Sequence, residues 1–94
     1  MFSWDETKNQ SNQSKHGVSF ELAQLVFDDP LHMTRQNRIE SGERRWQTVG
    51  LVGGVLMLLV AHTWNETETG DEPIRIISAR RATKIERKIY AEAT

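Results

Sequence analysis

The chain has 94 residues, of which 37% are hydrophobic and 27% are charged, and it contains two prolines, six glycines and no cysteine. This length leaves room for one domain with its own core, and the composition excludes collagen-like, low-complexity and disulfide-stabilised classes. The absence of cysteine excludes thiolate catalysis and cysteine-ligated zinc sites. The formal net charge of -1 argues against a domain that coats nucleic acid electrostatically.

The sequence predicts neither a secretory signal nor a membrane-spanning segment. Asp5 and Glu6 stand where a signal peptide carries basic and then apolar residues. The longest apolar run, residues 49–61, is shorter than the roughly 20 residues that cross a bilayer, and glycines interrupt it. We therefore expect a cytoplasmic protein with no membrane partner.

The first third of the chain predicts a strand and two helices. Residues 2–5 alternate apolar and polar side chains, as a short strand does. Residues 7–16 predict a polar helix that ends at Gly17, because glycine readily adopts the left-handed conformation that follows a helix. Ser19 caps a second helix, which ends before Pro30 because the residue preceding a proline disfavours helical geometry.

Three strands are predicted next. Residues 31–39 alternate with period two, and a polar turn follows them. Residues 44–52 and 55–63 are apolar, and only Gly53 and Gly54 separate them. This spacing is typical of a hairpin with a two-residue loop.

A strand and a helix complete the chain. The acidic residues 65–72 predict an exposed turn, and Pro73 opens a strand at residues 74–79. Ala82, Ile85 and Ile89 recur at helical spacing and predict a C-terminal helix that packs on the sheet. The order β-α-α-β-β-β-β-α predicts one α+β domain over residues 1–94, with a largely antiparallel sheet.

Charge is concentrated in the last third of the chain. Between residues 75 and 90 there are six basic residues and one acidic residue, whereas residues 66–72 carry four acidic residues and no basic one. A local cationic cluster on a nearly neutral body suits an enzyme that binds a few phosphates better than a protein that slides on DNA.

Four motifs follow one another along the chain: FSWDETKN at 2–9, KHGVSFE at 15–21, GERRW at 42–46 and IISARRA at 76–82. With these motifs the chain resembles the BrnT family of bacterial toxins from end to end. The resemblance implies a RelE-like fold and a type II toxin that cleaves RNA as a metal-independent endoribonuclease and inhibits translation. It also implies a BrnA-like ribbon-helix-helix antitoxin as partner, so that operator DNA is contacted only through the antitoxin.

Metal-free RNA cleavage needs a base for the 2′-hydroxyl, cations for the phosphate and an acid for the leaving oxygen. Arg75, Arg80 and Arg81 are predicted at and beyond the end of the last strand, where guanidinium groups can bind a phosphate bidentately. The alternative is a solvated helix start with surface ion pairs, although basic residues there oppose the helix dipole.

Carboxylates and a tyrosine supply further candidates. Glu43 and Arg45 begin a strand and are either a cross-strand ion pair or an acid-base group beside a phosphate-binding cation. Glu86 follows Thr83 at the spacing of a capping box, so we interpret it as a helix-start residue. Tyr90 is either a packing residue or a hydroxyl donor to RNA.

Histidines are the other candidates for proton transfer. His62 lies at the end of an apolar strand and is either a catalytic group or a buried structural one. Lys15 and His16 end a helix, where cations complement the dipole, and the resemblance adds a catalytic interpretation.

The sequence contains no P-loop, HExxH or GxGxxG motif, and its histidines are widely separated, so we predict no cofactor and no metal site.

The predicted function is that of a ribonuclease toxin. The alternative is a non-enzymatic protein-binding module, or an inactive toxin homologue that acts as co-repressor with its antitoxin.

Overall fold

The computed structural model describes residues 2–64 and 73–93, and the turn predicted at 65–72 lies outside them. The strands are β1 Phe2–Ser3, β2 Met33–Glu40, β3 Glu43–Val52, β4 Leu56–Trp64 and β5 Ile74–Arg81. The helices are α1 Glu6–His16, α2 Phe20–Ala23 and α3 Lys84–Ala93, and a 3₁₀ helix, Gln24–Asp28, continues α2. The predicted order of elements and the α+β class are confirmed.

The strands form one sheet in the order β1-β5-β4-β3-β2. β1 is parallel to β5, and the other neighbours are antiparallel. Side chains alternate between the two faces of a sheet. We call the face that packs against α2 and the 3₁₀ helix the helical face, and the face on which α3 lies the open face.

The helical face carries the main core. Its members come from the segment before β2 and from β4 and β5: Val18, Phe20, Ala23, Val26, Leu58, Val60, Ile76 and Ala79. The 3₁₀ helix approaches β3 so closely that a Cβ atom at Gly50 would lie 2.8 Å from Cγ1 and 2.9 Å from the carbonyl oxygen of Val26. Glycine is therefore required at position 50.

The polar helix α1 is fastened by two buried asparagines. The Asn12 amide donates to the Ala79 carbonyl and accepts from the Ala79 N–H, so it completes the hydrogen bonding at the edge of β5. The Asn9 side chain accepts from the Phe20 N–H and donates to Glu21. These bonds connect α1 to the sheet and to α2, although the helix has almost no apolar residues.

Three local predictions need correction. The first strand covers only Phe2–Ser3, because Asp5 caps α1 by accepting from the N–H groups of Thr7 and Lys8. The last strand extends to Arg81, two residues further than predicted.

The third correction concerns the β3–β4 hairpin. Gly53 and Gly54 adopt positive φ as the central residues of a tight turn, but the ladder closes at Val52 and Leu56. Val55 therefore falls outside the ladder and is 88% exposed. The prediction of a two-residue loop is wrong by one residue.

Candidate active site

The open face is apolar under α3 and polar beyond it. One row across the strands consists of Arg80, Leu59, Val49 and Met33, and Tyr90 of α3 packs on its apolar members. The next rows toward the other end of the sheet hold Ser78, Ala61, Gln47 and Arg35, and then Arg75 and Thr63, with Arg45 on the same face of β3. Four arginines therefore share this face.

A carboxylate lies between two of these guanidinium groups. Glu43 Oε1 accepts a hydrogen bond from Arg75 Nη2 at 2.6 Å and lies 3.8 Å from Arg45 Nη2. The side chains of Arg75 and Glu43 are 46% and 32% exposed, so solvent reaches both. We call Glu43, Arg45 and Arg75 the Glu43 cluster. It places an accessible proton acceptor beside two cations.

Two buried polar atoms, one in this cluster and one on the neighbouring strand, lack hydrogen-bond partners among the described residues. They are Arg45 Nε and Thr63 Oγ1. Arg45 Nε is 3.8 Å from Glu40, which is too far for a hydrogen bond. A buried orphan of this kind costs about 1–3 kcal/mol. Proteins tolerate such a cost more readily at functional sites than in packing cores.

Arg80, near the other end of β5 on the open face, is bonded to Glu86. Its Nη1 and Nη2 donate to the two carboxylate oxygens of Glu86 at 2.8 and 2.9 Å. Hydrogen bonds from Arg80 outweigh the opposing effect of burial and lower the pKa of Glu86 to about 2, and the Thr83 amide contributes in the same direction. The pKa of Arg80 is raised by the same contact. Both groups are charged throughout the physiological range.

Glu86 also forms the predicted capping box. It accepts from the Thr83 N–H at 2.8 Å, and its own N–H donates to Thr83 Oγ1 at 3.2 Å. The prediction that Glu86 is a helix-start residue is therefore confirmed, and its ion pair with Arg80 is an addition to that role. The start of α3 is thereby fixed against the end of β5.

The predicted grouping of three arginines at the end of the last strand is wrong for Arg75. Arg75 is the second residue of β5, and Arg80 is five positions later, roughly 16 Å along the strand. Arg81 alternates to the opposite face and is exposed. Cross-strand register, rather than proximity in sequence, decides which charged side chains lie together. Arg75 therefore lies beside Glu43 and Arg45 and not beside Arg80.

His62 is a buried residue of the helical face. It is fully buried, its Nε2 lies 2.7 Å from Thr48 Oγ1, and its ring packs edge-on against Phe27. Burial lowers the pKa of His62, and the hydrogen bond with the Thr63 carbonyl opposes this only in part. The geometry is that of the structural histidine, which was one of its two predicted roles.

Lys15 and His16 lie at the end of α1, and Gly17 follows in the left-handed conformation with φ of 70°. Lys15 is exposed and His16 is half-buried. Within residues 2–64 and 73–93, neither residue forms a hydrogen bond or ion pair with the Glu43 cluster or with Arg80. The structure therefore does not bring these two candidates to the open face.

Tyr90 is anchored by an aspartate. The Tyr90 hydroxyl donates to Asp29 Oδ2 at 2.6 Å, and the Leu51 and Leu31 N–H groups donate to the same carboxylate. Burial alone would raise the pKa of Asp29, but these three hydrogen bonds lower it below its ordinary value. Tyr90 is 8% exposed, and its hydroxyl is committed to holding α3 against the sheet.

Sequence reasoning missed Arg35 and Gln47. These residues are cross-strand neighbours on the open face and line a pocket beside α3. Period-two alternation from Met33 places Arg35 on the same face of β2, and this signal was available. The position of Gln47 opposite Arg35 required the register between β2 and β3, which no local pattern specifies.

Membrane-spanning helices and metal-binding side-chain groups are both absent from residues 2–64 and 73–93. None of their helices is long and apolar enough to cross a membrane. No three histidine, aspartate or glutamate side chains among them form a group that could hold a metal ion.

Comparisons with known proteins identify the family and support the fold. No curated protein matches the chain. A solved structure, the 1.1 Å crystal structure of the Brucella abortus ribonuclease toxin BrnT, matches with a TM-score of 0.62 and 28% sequence identity, over 89% of this chain and 99% of that one. The family model described as the ribonuclease toxin BrnT of type II toxin-antitoxin systems matches residues 4–86. Since that match spans most of the sequence, the chain belongs to the BrnT family of type II toxin-antitoxin ribonuclease toxins.

Proposed function

We propose that the protein is a metal-independent endoribonuclease that arrests translation, and that the open face is its active site. The observation that carries the proposal is the Glu43 cluster, which places a solvent-accessible carboxylate between two guanidinium groups. The family description and the solved Brucella toxin support the ribonuclease class.

The proposed reaction is transfer of a phosphoryl group within the RNA strand. Glu43 accepts the proton of a 2′-hydroxyl, and the 2′-oxygen attacks the adjacent phosphorus. The bond from phosphorus to the 5′-oxygen breaks, which leaves a 2′,3′-cyclic phosphate. The leaving 5′-oxygen takes a proton from water and becomes a hydroxyl, and the hydroxide formed removes the proton from Glu43. Arg45 and Arg75 stabilise the negative charge on the phosphate in the transition state.

Arg80 serves as a further phosphate-binding cation in this proposal. Its guanidinium is fixed by Glu86, and the Arg80 side chain is still 37% exposed, so the remaining edge of the guanidinium can reach a phosphate on the open face. A second phosphate contact would align the strand across the face. Arg81 lies on the opposite face. The variant Arg81→Ala is therefore the matched control for the loss of cleavage expected from Arg80→Ala.

An antitoxin partner and a cytoplasmic location belong to the same proposal, and membership of the family supports both. Type II systems pair a toxin with a protein antitoxin, and we propose a ribbon-helix-helix protein of the BrnA kind that contacts operator DNA on behalf of the complex. We expect the toxin to act in the cytoplasm, where its RNA substrate is.

The test is cleavage of a defined RNA by the purified chain in EDTA, together with growth after induced expression. Wild type should cleave the RNA and stop growth, whereas Arg75→Ala and Arg45→Ala should lose cleavage while remaining folded. Arg44→Ala is the matched control, because Arg44 is an exposed neighbour whose side chain alternates to the other face. A soluble wild type that cleaves nothing and leaves growth unchanged would favour the non-enzymatic module.

A further inference from the structure

A pocket on the open face lies between α3 and strands β2 to β4. Its lining residues, from the three strands and from α3, are Met33, Thr34, Arg35, Gln47, Val49, Leu59, Glu86 and Ile89. Its cavity volume is about 70 Å³, and its mouth is open to solvent. Met33, Val49 and Leu59 are successive neighbours in the sheet and form an apolar floor. An apolar floor with a few polar groups on the rim is typical of a small-molecule binding site.

The polar rim has hydrogen-bonding capacity that the fold does not use. Within the described parts of the chain, the Gln47 amide and the Arg35 guanidinium form no side-chain hydrogen bond or ion pair. A glutamine amide offers two donors and an acceptor, and an arginine guanidinium offers donors and a flat face for stacking. Glu86, by contrast, is committed to Arg80 and to Thr83.

The pocket opens beside a proposed phosphate-binding residue. Arg80 is the register neighbour of Leu59, one strand spacing of roughly 5 Å away. Gln47 and Arg45 are two residues apart in β3, so their side chains are neighbours on the open face. The pocket therefore also adjoins the Glu43 cluster. A nucleotide with its phosphate near these cations would have its base within reach of the apolar floor.

We propose that this pocket binds one base of the RNA, and that Gln47 and Arg35 select which base it is. The proposal rests on the proposed ribonuclease function and deepens it. Gln47 pairs with the hydrogen-bonding edge of the base, because a side-chain amide can contact a donor and an acceptor simultaneously, as it does with adenine. Arg35 covers the mouth, where its guanidinium plane stacks on the base.

The first experiment maps cleavage sites on an RNA that contains every dinucleotide. Gln47→Leu keeps the size of the side chain but removes its hydrogen bonds, and it should reduce the preference for the favoured base by about tenfold or more. Arg35→Ala should raise KM at that base with little change in kcat. Gln36→Leu is the matched control, since Gln36 is exposed and alternates to the helical face opposite Trp46.

A second experiment is independent of cleavage. AMP, GMP, CMP and UMP are titrated separately into the protein, and methyl NMR signals of Met33, Val49 and Leu59 are followed. The proposal expects one nucleotide to shift these signals more than the others, and Gln47→Leu to remove the difference.

The outcomes separate the two proposals. If wild type cleaves RNA but its cleavage map is unchanged by Gln47→Leu and Arg35→Ala, the base pocket is wrong and the ribonuclease stands. If wild type cleaves no RNA and one nucleotide still shifts the methyl signals, the ribonuclease is wrong and the pocket remains a nucleotide site. Signals that respond to none of the four nucleotides, or that respond only to the antitoxin, overturn the pocket.

Discussion

The two faces of the sheet differ in what their polar side chains do. On the helical face, beside exposed residues such as Arg44 and Arg81, His62 and Thr48 are fully buried and paired: His62 bonds to Thr48, and Thr48 bonds to Thr34. On the open face the Glu43 cluster is charged and partly exposed, and Arg45 Nε lacks a hydrogen-bond partner among the described residues. Pairing and burial stabilise a fold, whereas accessible charge with spare donors binds substrate.

This comparison explains why residue type alone is a poor guide in this chain. Histidine is the usual group for proton transfer near neutral pH, yet His62 is fully buried. Glu43, a surface carboxylate at the start of a strand, has the cations and the exposure that the chemistry needs. The position of a side chain on the sheet is therefore a better indicator of a catalytic role in this chain than its residue type.

The largest expected effect comes from removing the proposed base of the open face. Glu43→Gln keeps the shape of the side chain but cannot accept the proton, so kcat for RNA cleavage should fall by about 10²- to 10⁴-fold. Circular dichroism should show an unchanged fold. Glu92→Gln, on the exposed end of α3, should retain full activity. A Glu43→Gln enzyme as active as wild type would remove Glu43 from the mechanism.

The opposite result is expected on the helical face. His62→Ala removes a buried aromatic ring and leaves Thr48 without one of its partners, so the free energy of unfolding should fall by about 3 kcal/mol. At a temperature where the variant is still folded, its kcat should match wild type. A large loss of kcat in folded His62→Ala protein would restore His62 as a catalytic candidate.

Glu86 contributes a pH-dependent part of stability where α3 meets the open face. Its folded pKa of about 2 lies below the ordinary value of 4.5, so its contribution is present above pH 4.5 and is lost as pH falls toward 2. Linkage gives at most about 3 kcal/mol, and the partial exposure of Arg80 reduces it, because solvent screens the pair.

Urea unfolding between pH 2 and pH 7 measures this contribution. Wild type should lose stability in that acid range more steeply than Glu86→Gln, and the two curves should converge at low pH. Equal slopes would show that the pairing with Arg80 contributes nothing to stability.

Much of the fold is predictable from this sequence, because period-two and helical spacings are local signals and the family motifs order them. The contacts that build the site are not local. Glu43 and Arg75 are 32 positions apart in the sequence. They meet because β3 and β5 both pair with β4, in registers that place the two residues at the same end of the sheet. Likewise, nothing in the polar pattern of α1 indicates that Asn12 completes the edge of β5.

The smallest expected effect tests the two predicted roles of Tyr90. Tyr90→Phe removes the hydrogen bond to Asp29 but keeps the ring that packs on the sheet, so the free energy of unfolding should fall by about 1 kcal/mol. The pKa of Asp29 should rise, because the first of the hydrogen bonds that lower it is lost while the Leu31 and Leu51 amides remain. RNA cleavage should be unchanged, since the hydroxyl is directed at Asp29. A loss of kcat without a loss of stability would instead make the Tyr90 hydroxyl a donor to RNA.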